Sequence, residues 1–235
     1  RDKITAGHSM RVTQYSVLLC QKLGIDKETT ETISQAAMLH DIGKIGIRDS
    51  VLQKKGKLTP EEYQHIQEHV KITHDILSKI ADKSESFKSV VEIASSHHEK
   101  FNGQGYFRHK DGSHIPLGGR ILAVADVFDA ITSIRHYRDR MPIEEAIKII
   151  KDGANTHFDA RVTDMFLSLP CDKIIDVTLS DGDVILDVES RKILEQHDLF
   201  ELEAIINKEE KTPEEIKLIN TFNDFYIRKP RKAED

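Results

Sequence analysis

The stretch Arg120-Ile-Leu-Ala-Val-Ala-Asp-Val-Phe-Asp-Ala-Ile-Thr132 is apolar on nearly every side. A helix of that kind cannot lie on a surface and has to be enclosed by other elements. Its carboxylates, Asp126 and Asp129, then need partners, because an unpaired charge taken out of water is strongly unfavourable. The chain must therefore supply a shell of amphipathic helices, with positive charge or hydrogen-bond donors close to this central one.

The shell is readable from apolar spacing. Residues 5–23 put His8, Val12, Tyr15 and Leu19 on one stripe that Gly24 ends, and residues 27–42 do the same with Ile33, Ala36, Ala37 and His40. Thr59-Pro60-Glu61-Glu62 has the hydroxyl, the proline and the acidic first turn of a helix start. The helix it opens, 60–80, carries Tyr63, Ile66, His69, Thr73, Ile76 and Ile80 along one face. The spacing predicts a further helix over 85–98, with Phe87, Val90, Val91, Ala94, His97 and His98 inward, then a polar Gly-rich loop to 119. Helices at 142–152 and 159–168 complete an all-α domain over residues 1–169. Past Pro170 the pattern changes. Ile174 to Val188 alternates around Ser180-Asp181-Gly182-Asp183, which predicts a β-hairpin. Helices at 190–208 and 213–227 and a basic tail follow. Residues 170–235 thus read as a small C-terminal extension, an appended module or a dimerisation element.

Bulk properties narrow the class. With 38% hydrophobic and 31% charged residues in 235, the chain has enough apolar material for a real core. No apolar run approaches the ~20 residues of a membrane span, and no signal peptide opens the sequence. Only Cys20 and Cys171 are present, far apart, which points to reduced thiols and a cytoplasmic setting. A net charge of -6 argues against a nucleic-acid polymer as partner, while leaving room for a small anion neutralised locally. Residue 1 falls almost on the first motif, so an upstream domain is expected.

His8, His40, His69, His97 and His98 fall on inward helix faces, Asp41 stands beside His40, and Asp126 lies on the most apolar helix of all. A single histidine on an apolar stripe is usually an ordinary core residue. Five of them beside two buried carboxylates point instead to a metal site. Seven ligands exceed what one octahedral ion accepts, so two ions bridged by Asp41 fit better. Gly43 is expected to stop the helix with a positive φ, and Lys44 to point its ammonium back over the site.

In chain order the sequence shows His8 with Arg11-Val12, His40-Asp41-Ile42-Gly43-Lys44, His69, His97-His98-Glu99, Gly103-Gln-Gly105-Tyr106-Phe107, Ala125-Asp126-Val-Phe-Asp129-Ala130 and Thr156-His157-Phe158-Asp159. Through these motifs residues 1–169 resemble the HD-GYP subfamily of the HD-domain metal-dependent phosphohydrolases, which hydrolyse cyclic di-GMP. The resemblance implies an HD-domain helical bundle around a binuclear metal site. One divalent ion would be held by His8, His40, Asp41 and Asp126, the other by Asp41, His69, His97 and His98, with iron or manganese as the metal. Asp41 and Lys44 would be the catalytic residues, Lys44 touching the scissile phosphate, and Tyr106, Asp129, Arg135 and Arg138 would line the dinucleotide site. A hydroxide bridging the two ions would attack phosphorus in line, giving linear pGpG and then GMP. Two ions, Lys44 and two arginines suit a ligand with two phosphodiesters, since Arg offers bidentate contacts.

Three positions depart from the family pattern. Some members hold a third metal through a Glu four residues before the first His; here that residue is Ile4, so two metals are expected. Phe107 stands where the signature has Pro, and His136 where the family often has Pro. Three other readings stay open: a catalytically weak cyclic dinucleotide-binding module, a phosphohydrolase of another nucleotide, and a hybrid cyclic GMP-AMP substrate. The expected partners are cyclic di-GMP, an upstream sensory or receiver domain and a second copy of the chain, with no membrane insertion. His65, one turn before His69, is an alternative ligand. His74, His109, His114 and His197 read as surface groups, His157 as a structural hydrogen-bonder, and Lys54-Lys55-Gly56-Lys57 as a solvated loop.

Overall fold

A computed structural model describes residues 3–54, 56–81, 87–134, 140–182 and 184–227, with side chains from Gly7 onward. The helices are α1 (Lys3–Lys22), α2 (Lys27–Leu39), α3 (Asp49–Leu52), α4 (Pro60–Ala81), α5 (Phe87–Ala94), α6 (Leu117–Thr132), α7 (Ile143–Asp152), α8 (Ala160–Leu167), α9 (Cys171–Thr178), α10 (Val188–Leu194), α11 (Leu199–Ile206) and α12 (Pro213–Tyr226). Among the described residues no strand forms, only the isolated bridges Ala154–Phe158 and Pro170–Asp198. The chain is all-α. Among the described residues no helix is long and apolar enough to cross a membrane.

Helix α6 is the axis, as its composition demands. Ile121, Leu122, Ala123, Val124, Ala125 and Phe128 are all buried, and α1, α5, α7 and α8 pack around them. Small residues let neighbours approach. A methyl group on Gly118 would meet Ile93 and Ile33, and one on Gly119 would meet Ser96. The helix starts follow their local signals: Asp26 caps α2 by accepting from Thr29 N at 2.9 Å, and Thr59 and Glu62 exchange hydrogen bonds at the head of α4.

Four boundaries differ from the sequence reading, each for a physical reason. Helix α2 ends at Leu39, so His40 and Asp41 sit at its exit, followed by a 3-10 turn over Ile42–Gly46. Helix α5 ends at Ala94, and a tight turn carries Ser95 to His98 onward. The predicted β-hairpin does not form. Its first half is α9, in which Cys171, Ile174, Ile175, Val177 and Thr178 make a helical stripe buried under α1 and α12. The apparent alternation there was a helical period read over too few residues. The long helix expected over 190–208 is two, because Asp198 caps a new one by accepting from Glu201 N at 2.9 Å.

The last third packs on the same core as the first two. Tyr15 Oη and Thr178 Oγ1 share a buried hydrogen bond of 3.1 Å, and Tyr226 Oη donates to the Met141 carbonyl at 2.6 Å. Phe222 and Leu218 of α12 are buried in the apolar cluster that also holds Val12 and Leu19 of α1.

Candidate metal centre

Helix exits and inward helix faces together deliver the site. The exit of α2 brings His40 and Asp41, the middle of α4 brings His69, the turn after α5 brings His97 and His98, α1 brings His8, and α6 brings Asp126. All seven residues singled out in the sequence meet in one buried place. His8, His40 and Asp41 form one group able to hold an ion, and His69, His97 and His98 form another.

Asp41 stands between them. Its Oδ2 lies 3.7 Å from His8 Nε2 and 3.5 Å from His40 Nε2, while its Oδ1 lies 3.5 Å from His69 Nε2. Asp126 Oδ1 joins the first group, 3.0 Å from His8 Nε2 and 3.8 Å from His40 Nε2. On the other side His69 Nε2 and His97 Nε2 are 3.3 Å apart, and the His97 and His98 ring centroids are 4.1 Å apart.

The imidazoles are aimed by their outer nitrogens. His40, His69 and His97 each place Nδ1 against the carbonyl three residues earlier, Ala37 at 2.6 Å, Ile66 at 2.6 Å and Ala94 at 2.7 Å. A carbonyl only accepts, so Nδ1 carries the hydrogen and Nε2 turns a lone pair inward. The His8 ring is aimed in the same way, by donating Nδ1–H to Asp129 Oδ2 at 2.7 Å, so that Nε2 points inward. This is the outer-sphere arrangement that metal-binding histidines require. His40 Nε2 is buried without a hydrogen-bond partner, a costly state for a polar nitrogen that a cation would relieve. The donor set of imidazoles and carboxylates therefore fits two divalent ions.

Charge is tuned to match. Burial pushes His69 down, His97 well down and His98 to about 3, so all three are neutral near pH 7, as ligation demands. Burial alone would raise the Asp41 carboxyl, but His40 and Lys44 beside it hold it well below the usual carboxylate range. Asp126 is depressed likewise: His40 and His8 outweigh its burial. His8 goes the other way: against burial, Asp126 and Asp129 lift it to about 9. Lys44, a third exposed, places Nζ 2.5 Å from Asp41 Oδ2 at the mouth of the site.

Several expected roles change. Gly43 has no positive φ; it is a glycine because a Cβ there would lie 2.0 Å from the His69 carbonyl oxygen and 2.5 Å from Thr73 N. Thr73 uses that closeness, accepting from Gly43 N at 3.0 Å and donating to the His40 carbonyl at 2.9 Å. Asp129 is buried, with its oxygens taken by His8 and by Arg11, whose Nε donates at 2.6 Å and Nη2 at 3.0 Å. Tyr106 is half-buried and stacks on His98, with ring centroids 4.8 Å apart and planes at 29°. Arg135 and Arg138 lie outside the described residues, as does His136. His65 is directed elsewhere, accepting from Arg48 N at 3.3 Å and facing Glu68 at 2.7 Å.

Glu99 and Arg11 lie in quoted motifs, yet spacing alone assigned them no task. Buried Glu99 ties down the loop that presents Tyr106, accepting from Phe107 N at 3.2 Å, Arg108 N at 2.7 Å and Lys110 N at 3.1 Å. Phe107 makes one of these bonds with an N–H that proline lacks, and its ring lies 5.5 Å from that of His74. His157 is structural: its carbonyl accepts from Phe101 N at 3.1 Å, and its ring stacks on Phe158.

The chain is similar to several known proteins. A 3'3'-cGAMP-specific phosphodiesterase of Vibrio cholerae is 41% identical over 159 residues, 68% of this chain and 34% of that protein. A cyclic di-GMP phosphodiesterase of Thermotoga maritima is 40% identical over 169 residues, 72% of this chain and 45% of that protein. The chain therefore spans less than half the length of these relatives. Among solved structures, an HDG"Y"P protein of Bdellovibrio bacteriovorus superposes with a TM-score of 0.55 at 22% identity, over 68% of this chain and 50% of that one. It shares the fold. The pattern that defines the HD domain matches residues 1–162, and with the histidines and aspartates of that stretch gathered around Asp41 the chain belongs to the HD-domain family.

Proposed function

We propose that the chain is a metal-dependent phosphodiesterase that hydrolyses cyclic di-GMP. The observation that carries this reading is Asp41 shared between two imidazole groups, with Lys44 at its side. His8, His40, Asp41 and Asp126 would hold one ion, and Asp41, His69, His97 and His98 the other; imidazole with carboxylate suits iron or manganese. Bound there, the ions would supply Lewis acidity and bring water's pKa toward neutrality.

The chain's own residues do the rest. The Nδ1 anchors fix each imidazole before substrate arrives, so little reorganisation is needed during reaction. Lys44 holds a proton-rich ammonium where a phosphoryl oxygen or the departing 3′ oxygen would come to lie. Tyr106, half-buried and stacked on His98, would offer its ring to a nucleobase. Hydrolysis adds water across one P–O3′ bond, leaving a 5′-phosphate and a 3′-hydroxyl in linear pGpG. A second cleavage gives GMP.

The names of the relatives favour a second substrate, hybrid 3'3'-cGAMP, whose phosphodiesters are chemically the same. Incubating the Mn²⁺- or Fe²⁺-loaded protein with each dinucleotide and separating the products decides among the readings. Linear product from cyclic di-GMP is expected, and its loss together with bound metal in Asp41→Ala. Tight dinucleotide binding without turnover would establish the binding-module reading instead. Turnover retained in Asp41→Ala would overturn the metal assignment.

A further inference from the structure

The C-terminal stretch, outside the matched domain, reaches the metal centre. After α9 the turns Ser180 N to Val177 O, 3.1 Å, and Gly182 N to Leu179 O, 2.9 Å, fold Asp181 back against α1. There its carboxylate pairs with Arg11 Nη1. It fits because residue 7 is glycine: a Cβ on Gly7 would come within 2.6 Å of Asp181 Oδ2.

Arg11 is the hub. Its guanidinium has five N–H donors and is nearly buried, so each donor left without an acceptor is costly. Asp129 takes Nε and one Nη2 hydrogen, Ser133 Oγ takes Nη2 at 2.9 Å, and Asp181 takes Nη1. Asp129 in turn receives His8 Nδ1–H at 2.7 Å, and His8 Nε2 faces Asp126 and Asp41. Four residues thus run in unbroken polar contact from the C-terminal stretch to one ion position. On the other side His69 and His97 are anchored instead on the backbone carbonyls of Ile66 and Ala94.

We infer that Asp181 is a positioning residue for the ion position built on His8, acting through Arg11 and Asp129, so that the stretch beyond residue 169 completes the metal centre. The inference rests on the two-ion reading above. A negative charge on Arg11 Nη1 keeps the guanidinium from swinging toward solvent, and a fixed guanidinium keeps Asp129 square to His8. Outer partners that touch a ligand directly are worth about 10–100-fold in metal affinity. Asp181 is two contacts further out and partly exposed, so its effect is expected to be smaller, about three- to tenfold.

The test is a Co²⁺ titration of the metal-free full chain, followed by visible absorption. A His69→Ala chain identifies which of the two binding steps belongs to His8. Asp181→Asn is expected to weaken the His8 step by about three- to tenfold, to leave the other within about twofold, and to leave the melting temperature of the metal-free chain within about two degrees. Asp181→Glu, which keeps the charge, is expected to recover most of the loss. The inference is overturned by an unchanged His8 step in Asp181→Asn, by a loss that Asp181→Glu does not recover, or by both steps weakening together with a drop in melting temperature. A wild-type chain that binds fewer than two Co²⁺ ions would overturn the two-ion reading itself.

Discussion

At Gly43 two backbones meet with no room for a methyl group. The nearest atoms to a Cβ at that position, the His69 carbonyl oxygen at 2.0 Å and Thr73 N at 2.5 Å, are main-chain atoms of α4 and cannot rotate away. Gly43→Ala therefore has to push α4 from the α2 exit, separating His69 from Asp41. We expect a loss of about 1–3 kcal/mol in stability, seen as a lower urea midpoint, and loss of the ion on the His69 side in a metal assay. An Ala variant of full stability with two ions would show that the contact is slack. This residue also marks a limit of sequence reading. A helix stop and a close approach both call for glycine, so the letter alone could not say which was at work. The clustering of the candidate metal-site residues was legible because each interrupts an apolar stripe with a lone pair or a charge. Their anchors were not: the carbonyls of Ala37, Ile66 and Ala94 carry no side-chain signal.

Elements place these residues through their ends more than through their faces. The turn after α5 runs into the loop that presents Tyr106, and Glu99 links them by accepting three backbone N–H groups. Gly105 is part of the same knot, since a Cβ there would sit 2.3 Å from Lys100 N. Glu99→Gln keeps the shape but replaces one acceptor oxygen by a donor facing N–H groups. The expected cost is about 1–3 kcal/mol of stability. Metal content should stay at the wild-type level, because His97 is anchored on the Ala94 carbonyl of α5, while on the proposed function KM for cyclic di-GMP rises as the loop that presents Tyr106 loses its tie. An unchanged KM would mean that the loop holds without Glu99. The ends of elements are also where the sequence reading failed. Ile174, Ile175, Val177 and Thr178 fit a buried helix of eight residues as well as a strand, and Asp181-Gly182 follows either as a turn. What decides between them is the apolar face of α1 and α12, which lies far away in sequence.

At the scale of the whole molecule, the centre gathers so many titratable groups that it should dominate how folding responds to pH. In the metal-free chain burial holds His69, His97 and His98 below their ordinary value of 6.5, His98 at about 3. Below pH 6.5 the unfolded chain then binds protons that the folded chain refuses, so stability falls as the pH falls from 6.5 toward 4. His8 has the opposite sign: raised to about 9, its contribution is complete below 6.5 and is lost as the pH rises through 9. The metal-free chain should therefore be most stable near neutrality and decline on both sides, with a melting temperature at least about 5 °C lower at pH 5 than at pH 7. Bound ions change the two limbs differently. Ligation of Nε2 takes the place of the His8 proton, so the alkaline decline should vanish in Mn²⁺, while acid should still destabilise because protons compete for every imidazole. Circular dichroism melts from pH 5 to 9.5, in chelator and in Mn²⁺, read both limbs. A flat metal-free profile would mean that these histidines are solvated in the folded chain, and the buried centre described here would be wrong in its electrostatics.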